Sequence, residues 1–513
     1  MRWAIGLLLL YAAAPFDPTD VARRSIGTTV NFEAVIPAMC YTKTDGVSNP
    51  CYVCHTVSRF PNAMDDAELQ EEYAFSDFAR DNRWSNLFVD RTKQIEAVSD
   101  EAILAWVRED NYEPLRRAMR DAPKDYGAWR PDLDFRAGFD DAGFARDGSG
   151  WRAFRYKPFP GTFFPAAGST DDVMIRLPAT LRASPAQARL NYALLEAAMA
   201  THPDHEMAMP TEPLDEAVAR FDLNGDGRIG GTIRRIRRLP THYVGTRVKI
   251  HRYVFPVGTA FLHTVRYLDP DEPSMIARRM KEVRYMVKTR WLDRWGFQKA
   301  YENEHEEKDE GRLPQFSGTP LTGVNSDFGW RFTAFIEDGQ GRLRLQTEEE
   351  HRFCMGCHST VGVTVDSTFS FARKVPGEWR YQSLVGLRDQ PPAGGTEPEY
   401  LTYFRRVRGG DEFRGNTEFL RRFLPEGKLD EASVRRAAPG GDRDVRHLIL
   451  PSRRRALRLN KAYRLLVGEQ RFDLGRDTVL APLQVHPAIR EESTGLGETE
   501  HVFRDGQLWL GWK

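Results

Sequence analysis

The stretch WRFTAFIEDGQGRLRL, residues 330–345, gives the clearest prediction of local fold in this chain. Two apolar segments, Trp330 to Phe335 and Arg342 to Leu345, flank the turn-forming sequence Glu337-Asp338-Gly339-Gln340-Gly341. Alternating apolar residues around a glycine-rich turn are typical of a β-hairpin. We therefore expect an antiparallel pair of strands here.

A helix is predicted directly after this hairpin. Thr347 followed by Glu350 matches a capping box, in which each residue satisfies a backbone N–H of the other. The helix should run from Glu348 to about Cys357. Its C-terminal end carries Cys354-Met355-Gly356-Cys357-His358, a Cys-x-x-Cys-His pentapeptide.

A second copy of this pentapeptide stands far away at Cys51-Tyr52-Val53-Cys54-His55, and the two copies use four of only five cysteines. This is the pattern of covalent c-type haem attachment. The two thiols bond to one haem and the following histidine binds its iron from the proximal side. Two copies predict two haems, held by Cys51, Cys54, His55, Cys354, Cys357 and His358.

Two other readings of a Cys-x-x-Cys pair lack what they require. A thioredoxin-like redox pair belongs in a βαβ setting, and a zinc site needs a second Cys or His pair close by in sequence. On its two pentapeptides alone, the chain resembles the bacterial multihaem c-type cytochromes. The resemblance implies covalent haem and a location outside the cytoplasm, but no particular fold.

The N-terminus predicts export. Met1-Arg2 precedes a short apolar run from Trp3 to Tyr11 that ends in Ala12-Ala13-Ala14, so residues 1–14 are expected to be a signal peptide. No other stretch approaches about 18 consecutive apolar residues, and no cysteine follows the run at lipoprotein spacing. We expect a soluble mature chain without an integral membrane segment, located in the periplasm.

Composition limits the class of partner. The 513 residues are 41% hydrophobic, which is enough for two or three packed units. Lys plus Arg and Asp plus Glu both total 73, so no overall positive charge favours nucleic acid. The expected partner is a redox protein or a small-molecule electron donor or acceptor.

Local charge is less even than the total. Two basic runs are Arg234, Arg235, Arg237, Arg238, Arg247, Lys249 and Arg252, and Arg453, Arg454, Arg455 and Arg458. Such runs are most often solvated faces. Alternatively, some of these side chains pair with haem propionates or with an acidic redox partner, because guanidinium binds carboxylate in a bidentate fork.

The chain is predicted to be α+β, mainly helical, with irregular segments and short β-hairpins. Two haem units, residues 15–180 and 321–513, enclose a middle segment, residues 181–320. In that middle segment Ser184-Pro185-Ala186-Gln187 should begin a helix, and Tyr253 to Leu268 looks β-like. A long amphipathic helix is expected to place one group of residues on a single face: Ile276, Met280, Val283, Val287 and Trp291.

The ligand on the second side of each iron separates an electron carrier from an enzyme, because a second strong ligand closes the iron. His263 is the first candidate, since strand alternation would place it on the same face as Phe261, Val265 and Tyr267. A satisfied core histidine is the alternative. Further candidates are His242, His251, Met39 and Met64.

Two other residues near the pentapeptides are candidates for a functional role. His351 lies two turns before His358, about 10 Å along the helix axis, so it cannot bind the same iron without a break in the helix. A surface histidine is the expected reading. Cys40 is the one cysteine outside the pentapeptides, and we expect a buried thiol there, with axial thiolate ligation or redox chemistry as the alternative.

A calcium site is suggested by the loop Asp222-Leu223-Asn224-Gly225-Asp226-Gly227-Arg228-Ile229. Asp222, Asn224, Asp226 and the carbonyl of Arg228 occupy ligand positions 1, 3, 5 and 7 of an EF-hand-type loop. Ile233 stands at position 12, where the bidentate glutamate is expected. An ordinary glycine-rich turn is the alternative.

Two functional classes remain open. One is a periplasmic dihaem cytochrome that transfers electrons between partners. The other is a dihaem oxidoreductase of peroxidase or oxidase type with one open iron. Its support is length, because two haems need far fewer than 513 residues.

Overall fold

The computed structural model describes most of the chain between residues 16 and 488. The described residues are 16–30, 37–41, 54, 77–86, 89–161, 163–200, 206–310, 316–382, 384–391, 397–407, 416–480 and 487–488. The predicted signal peptide, Cys51, His55 and Met64 lie outside this part, as do the side chains of Met39 and Cys40. Of the first pentapeptide, only Cys54 is described.

An antiparallel sheet of eight strands forms the centre of the described structure, in the order β1-β2-β5-β6-β9-β8-β7, with β10 paired to β9. A separate two-stranded ribbon pairs β3 with β4. The strands are β1 Arg152–Ala153, β2 Thr170–Arg176, β3 Met209–Asp215, β4 Thr232–Ile236, β5 Ala260–Leu268, β6 Ile276–Lys288, β7 Ser317–Thr319, β8 Gly323–Asn325, β9 Trp330–Glu337 and β10 Leu343–Leu345.

The helices surround this sheet. In the described residues they are α1 Asp20–Arg24, α2 Asp77–Arg80, α3 Thr92–Ala97, α4 Asp100–Arg108, α5 Tyr112–Ala118, α6 Pro185–Ala200, α7 Glu216–Ala219, α8 Arg294–Asp309, α9 Glu348–Cys357, α10 Ser370–Arg373, α11 Glu399–Val407, α12 Thr417–Phe423, α13 Glu431–Ala437, α14 Arg446–Ile449 and α15 Arg453–Glu469. None of the helices in these ranges is long and apolar enough to cross a membrane.

The prediction of a mainly helical α+β chain is wrong, because its centre is this large antiparallel sheet. The sheet also takes strands from all three predicted segments. Residues 15–180 supply β1 and β2, residues 181–320 supply β5, β6 and β7, and residues 321–513 supply the rest. The boundaries at 180 and 320 therefore divide the sequence but not the sheet.

The longest strand, β6, is the segment for which an amphipathic helix was predicted, and that prediction is wrong. The strand lies between β5 and β9, and Val283 pairs with Thr264 on one side and Phe335 on the other. Both of its faces are covered, so Val283 on one face and Met286 on the other are both buried. Covered faces hide the alternation that would have identified a strand.

The local predictions around the hairpin and two helices are confirmed. β9 and β10 form the expected antiparallel pair, with Leu343 opposite Glu337. Helix α6 begins at Pro185 as predicted, and the Gln187 side chain accepts the Ala183 N–H at 2.7 Å. Each of these features is determined by residues close together in sequence, which is why the sequence predicts them.

The two faces of the sheet bury different cores. Alternate residues on one face, including Met174 and Leu262, pack in one apolar cluster. On the other face, Ile175, Phe261 and Met286 pack in a cluster that also includes helix α6. Side chains further along that second face line a cavity.

Candidate functional site

Helix α9 carries the second pentapeptide into the interior. Its capping box is complete: the Thr347 hydroxyl accepts the Glu350 N–H at 3.1 Å, and the Glu350 carboxylate accepts the Thr347 N–H at 2.8 Å. Cys354 and Cys357 lie three residues apart in the last turn, so both thiols project from the same side. Cys354 is a buried thiol, and burial raises its pKa. His358 is the C-cap residue, where the chain leaves the helix.

The His358 imidazole is fixed in one orientation. Its Nδ1 lies 2.8 Å from the carbonyl oxygen of Ser367 and donates a proton to it, since a carbonyl can only accept. Burial lowers the pKa of His358 to about 4, so the ring is neutral at physiological pH. Nε2 therefore carries a lone pair. Metal-binding histidines in proteins are commonly oriented in this way, by a carbonyl on the second nitrogen.

The carbonyl that orients His358 belongs to a tight turn. Val365 and Thr368 exchange backbone hydrogen bonds of 2.8 and 3.0 Å across Asp366 and Ser367, which have positive φ values of 47° and 59°. Two consecutive left-handed residues define a type I′ turn. Asp366 is held by a buried ion pair with Lys288 and accepts the Phe255 N–H at 2.8 Å. The turn is thus tied to strand β6.

A large cavity lies between α9 and the second face of the sheet. Water-sized molecules can enter about 200 Å³ of it, and it opens to solvent. Both pentapeptides reach it, because Cys54 of the first lines it together with Cys354, Cys357 and His358 of the second. The backbone places Cys54 beside Val363, whose N–H donates to the Cys54 carbonyl at 3.2 Å.

Aromatic side chains form much of the cavity wall. The ring centroids of Phe332 and Phe369 lie 5.5 and 5.7 Å from that of His358. Phe163 meets His263 edge-on at 5.1 Å. Further aromatic lining residues are Trp84, Tyr156, Phe159, Phe261, Tyr285, Phe353 and Tyr463. Concave sites lined by aromatic side chains are typical of cofactor and small-molecule binding.

His263 lies on the cavity wall, on the same face as Phe261 and Val265. Its Nε2 is 3.0 Å from Asp171 Oδ2, and Tyr156 donates a hydrogen bond to the same oxygen. The Asp171 carboxylate thus holds both the ring and the phenol. Tyr267, two residues beyond Val265, packs against Tyr463 of α15, with ring centroids 5.4 Å apart.

The charged residues that line the cavity were not predicted from the sequence. Glu282 and Arg284 project from β6, with Arg284 Nε donating to Glu282 at 2.8 Å, and Arg476 lies 3.4 Å from the same carboxylate. Burial alone would raise the pKa of Glu282, but the two guanidinium groups outweigh it and lower the pKa to about 2. The alternating charges Glu282 and Arg284 in strand β6 could have indicated these residues. They were not recognised because this segment was predicted to be a helix.

Lys281 also lines the cavity. Its ammonium donates to the Gly168 carbonyl at 2.8 Å and to the Ser169 hydroxyl at 3.0 Å. Burial lowers its pKa to about 7. Lys281 is therefore only partly protonated at neutral pH, whereas the guanidinium groups of Arg284 and Arg476 can pair with carboxylates of a bound molecule.

The other histidine candidates lie elsewhere. His351 is fully buried, contrary to the expected surface position: Nδ1 donates to the Thr347 carbonyl at 2.9 Å and Nε2 accepts the Ala334 N–H at 3.1 Å. Both nitrogens are engaged in structural hydrogen bonds. His242 is exposed, and His251 packs on Trp291 with ring centroids 4.9 Å apart. None of the three lines the cavity.

The predicted calcium loop forms a turn in which the acidic side chains already have hydrogen-bond and ion-pair partners. The prediction that the chain binds calcium is wrong. Asp222 accepts backbone N–H groups from Gly225 and Gly227 and pairs with Arg238 at 3.1 Å. The Asp226 carboxylate accepts the Asn224 amide at 3.1 Å and the Arg228 N–H at 2.9 Å. Among the described residues, no group of three or more His, Cys, Asp or Glu is arranged to hold a metal ion.

The second pentapeptide and its cavity fit a haem c by their donor chemistry. Two cysteines and a histidine come from one helix end, and the histidine presents a neutral Nε2. The surrounding wall supplies aromatic rings for a macrocycle and cations such as Arg284 and Arg476 for its carboxylates. His358 would bind iron, and Cys354 and Cys357 would form the thioether bonds.

Comparisons with known proteins point to a lipoprotein family. No solved structure matches the chain. A curated relative, an uncharacterized lipoprotein of Aquifex aeolicus, is 32% identical over 519 aligned positions, covering 87% of this chain and 86% of the relative. A family model described as "-like lipoprotein" matches residues 25–440.

These matches correct the earlier resemblance. Neither description names a cytochrome, haem or electron transfer, so the assignment to the bacterial multihaem c-type cytochromes is wrong. A lipoprotein is exported and attached to a membrane through lipid, which agrees with the export predicted from the N-terminus but not with a freely soluble mature chain. The chain belongs to this lipoprotein family.

Proposed function

We propose that this lipoprotein binds haem covalently at both pentapeptides and transfers electrons. Cys354, Cys357 and His358 would hold one haem, and Cys51, Cys54 and His55 the other. The observation that carries the proposal is the His358 side chain, which is neutral, oriented by the Ser367 carbonyl and lines the same aromatic cavity as Cys354 and Cys357. Haem bound there would supply one-electron chemistry.

The proposed location is the periplasm, where haem c proteins of bacteria are found and where export from the cytoplasm would place the chain. The proposed partner is a redox protein or a small-molecule electron donor or acceptor. Because Cys54 lies in the same cavity as the second pentapeptide, the two haems would lie close together. Closely spaced haems allow electrons to pass from one to the other inside a single chain.

A second candidate function is a haem oxidoreductase with one open iron. The observation that favours it is the hydrogen-bonded group formed by His263, Asp171 and Tyr156 on the cavity wall. Since Asp171 holds Nε2 of His263, iron ligation through that nitrogen requires the carboxylate to release it. If the hydrogen bond between Asp171 and His263 persists, the imidazole can accept or donate a proton in a reaction within the cavity.

The spin state of the oxidised iron distinguishes the two functions. In an electron carrier with two strong ligands per iron, absorption and electron paramagnetic resonance spectra are wholly low-spin, and cyanide changes them little. With one open iron, about half of the iron is high-spin and binds cyanide. We expect the low-spin result, with His263 as a ligand.

His263→Ala tests that ligand directly. A new high-spin signal in a folded protein supports ligation by His263, while an unchanged spectrum assigns His263 to the hydrogen-bonded group alone. His251→Ala is the matched control, because this histidine does not line the cavity and its loss should leave the spectrum unchanged.

A further inference from the structure

An exposed aromatic and basic surface lies at the start of helix α8. Trp295 is 71% exposed, Val257 is 49% exposed and Trp291 is 43% exposed. Large apolar side chains with this much water contact are unusual for a folded protein when they are neighbours. We call these three residues, with the exposed side chains of Arg252, Arg290 and Arg294, the tryptophan surface.

Contacts within the structure bring these residues together. The Trp291 ring packs on His251, which directly precedes Arg252. Val257 lies in the turn before β5, where the Gly258 N–H donates to the Lys288 carbonyl at 2.8 Å, two residues before Arg290. Loop 251–258 and segment 289–295 therefore form one surface.

A rigid base supports this surface. Phe297, one turn into α8, is fully buried and packs in a cluster with Val254, Ala300 and Phe328. Its ring stacks on Phe328 with centroids 6.2 Å apart. The exposed tryptophans are thus held outward by a packed core and are not side chains on a loose segment.

The charge of the tryptophan surface is positive. Arg252, Arg290 and Arg294 are exposed, and along the chain the surface continues into the basic run of residues 234–249. All six basic residues of that run are exposed, and none lines the cavity beside His358, so they are not available to haem propionates there. Two acidic residues lie nearby, Asp293, which accepts the Gly296 N–H at 2.8 Å, and Asp327, whose backbone carbonyl accepts a hydrogen bond from Arg290. The three arginines outnumber them.

We propose that the tryptophan surface docks on an anionic lipid bilayer. Tryptophan is enriched at the membrane–water interface because its ring is both apolar and polar, and arginine beside it attracts acidic headgroups. Membership of a lipoprotein family places the chain next to a bilayer. The proposal does not depend on haem.

This contact is separate from the N-terminal region. The Leu345 N–H donates to the Pro18 carbonyl, so residues 16–30 pack at the Glu337 end of β9. The tryptophan surface lies at the opposite end, where Trp330 pairs with Lys288. A strand of this length separates the two by about 20 Å. Docking of the tryptophan surface on a bilayer should therefore not require a lipid attached to the N-terminal region.

The test measures binding of the unlipidated full-length chain to phosphatidylglycerol vesicles and phosphatidylcholine vesicles by co-sedimentation. We expect binding to the anionic vesicles that weakens as salt is raised, and at least tenfold weaker binding to the neutral ones. Trp291→Ser with Trp295→Ser should weaken binding to anionic vesicles at least tenfold. Both rings are exposed, so circular dichroism should show an unchanged fold.

Matched variants distinguish binding through this surface from nonspecific effects of positive charge or exposed apolar side chains. Arg252→Gln with Arg290→Gln and Arg294→Gln should remove the preference for anionic vesicles. The control Arg278→Gln with Arg421→Gln and Arg454→Gln removes three exposed arginines elsewhere, and Val385→Ser removes an exposed apolar side chain elsewhere. Wild-type binding by the tryptophan variant, or equal losses in both arginine triples, would overturn the proposal. So would absence of wild-type binding to anionic vesicles, which would leave an acidic protein as the occupant.

Discussion

Removing one partner of the buried ion pair between Lys288 and Asp366 should be among the most destabilising single changes near the cavity. Both side chains are fully buried. Removing one partner of such a pair leaves an uncompensated charge and costs about 3–5 kcal/mol. We therefore expect Lys288→Met to lower the free energy of unfolding by about that amount, measured by urea denaturation followed by circular dichroism.

A double-mutant cycle shows whether the cost comes from the pair. Asp366→Asn alone should also destabilise, while Lys288→Met combined with Asp366→Asn leaves no unpaired charge. We expect the double variant to be at least about 2 kcal/mol more stable than additivity of the single variants predicts. Arg24→Gln is the control, since its pair with Asp20 is 70% and 51% exposed and should be worth less than about 1 kcal/mol. Additive single effects, or a loss below about 1 kcal/mol for Lys288→Met, would refute this reasoning.

Three further changes test other parts of the structure. Burial lowers the pKa of Lys281 to about 7, so the unfolded chain binds this proton more tightly and the stability of the wild type, relative to Lys281→Met, should fall by about 2–4 kcal/mol as pH drops from 10 to 7. A pH-independent difference in chemical denaturation would contradict this. Thr347→Ala should cost about 1 kcal/mol through loss of the α9 cap, while Thr347→Ser should be nearly neutral; equal melting temperatures for the two variants would argue against the cap. Ser367→Gly should raise stability by about 0.5–1 kcal/mol, because glycine adopts the positive φ without a Cβ penalty, and a lower melting temperature would contradict the turn assignment.

Features set by neighbouring residues could be predicted from the sequence. The α9 helix follows from Thr347 and Glu350, and the hairpin before it from its glycine-rich turn. Strand β6 could not be recognised, because its burial on both faces removes the alternation of a half-exposed strand. Its apolar residues at intervals of three and four then imitate a helix.

The candidate site could be predicted only in part, for the same reason. The pentapeptides and the face of His263 follow from spacing and strand alternation. The cavity itself brings together Cys54, strand β6 and Arg476, which are more than a hundred residues apart in sequence. Such contacts depend on tertiary packing, which is not visible in local patterns. The same limit applies to Asp171, whose hold on His263 comes from the neighbouring strand.

Covalent haem is the central claim, and the mass of the denatured protein tests it most directly. Protein produced in cells with a working haem c maturation system should have the mass of the polypeptide plus two haems, and these should survive acid-acetone extraction. Cys354→Ala with Cys357→Ala should remove one haem, and Cys51→Ala with Cys54→Ala the other. A wild-type mass that shows one haem or none would contradict the proposed function.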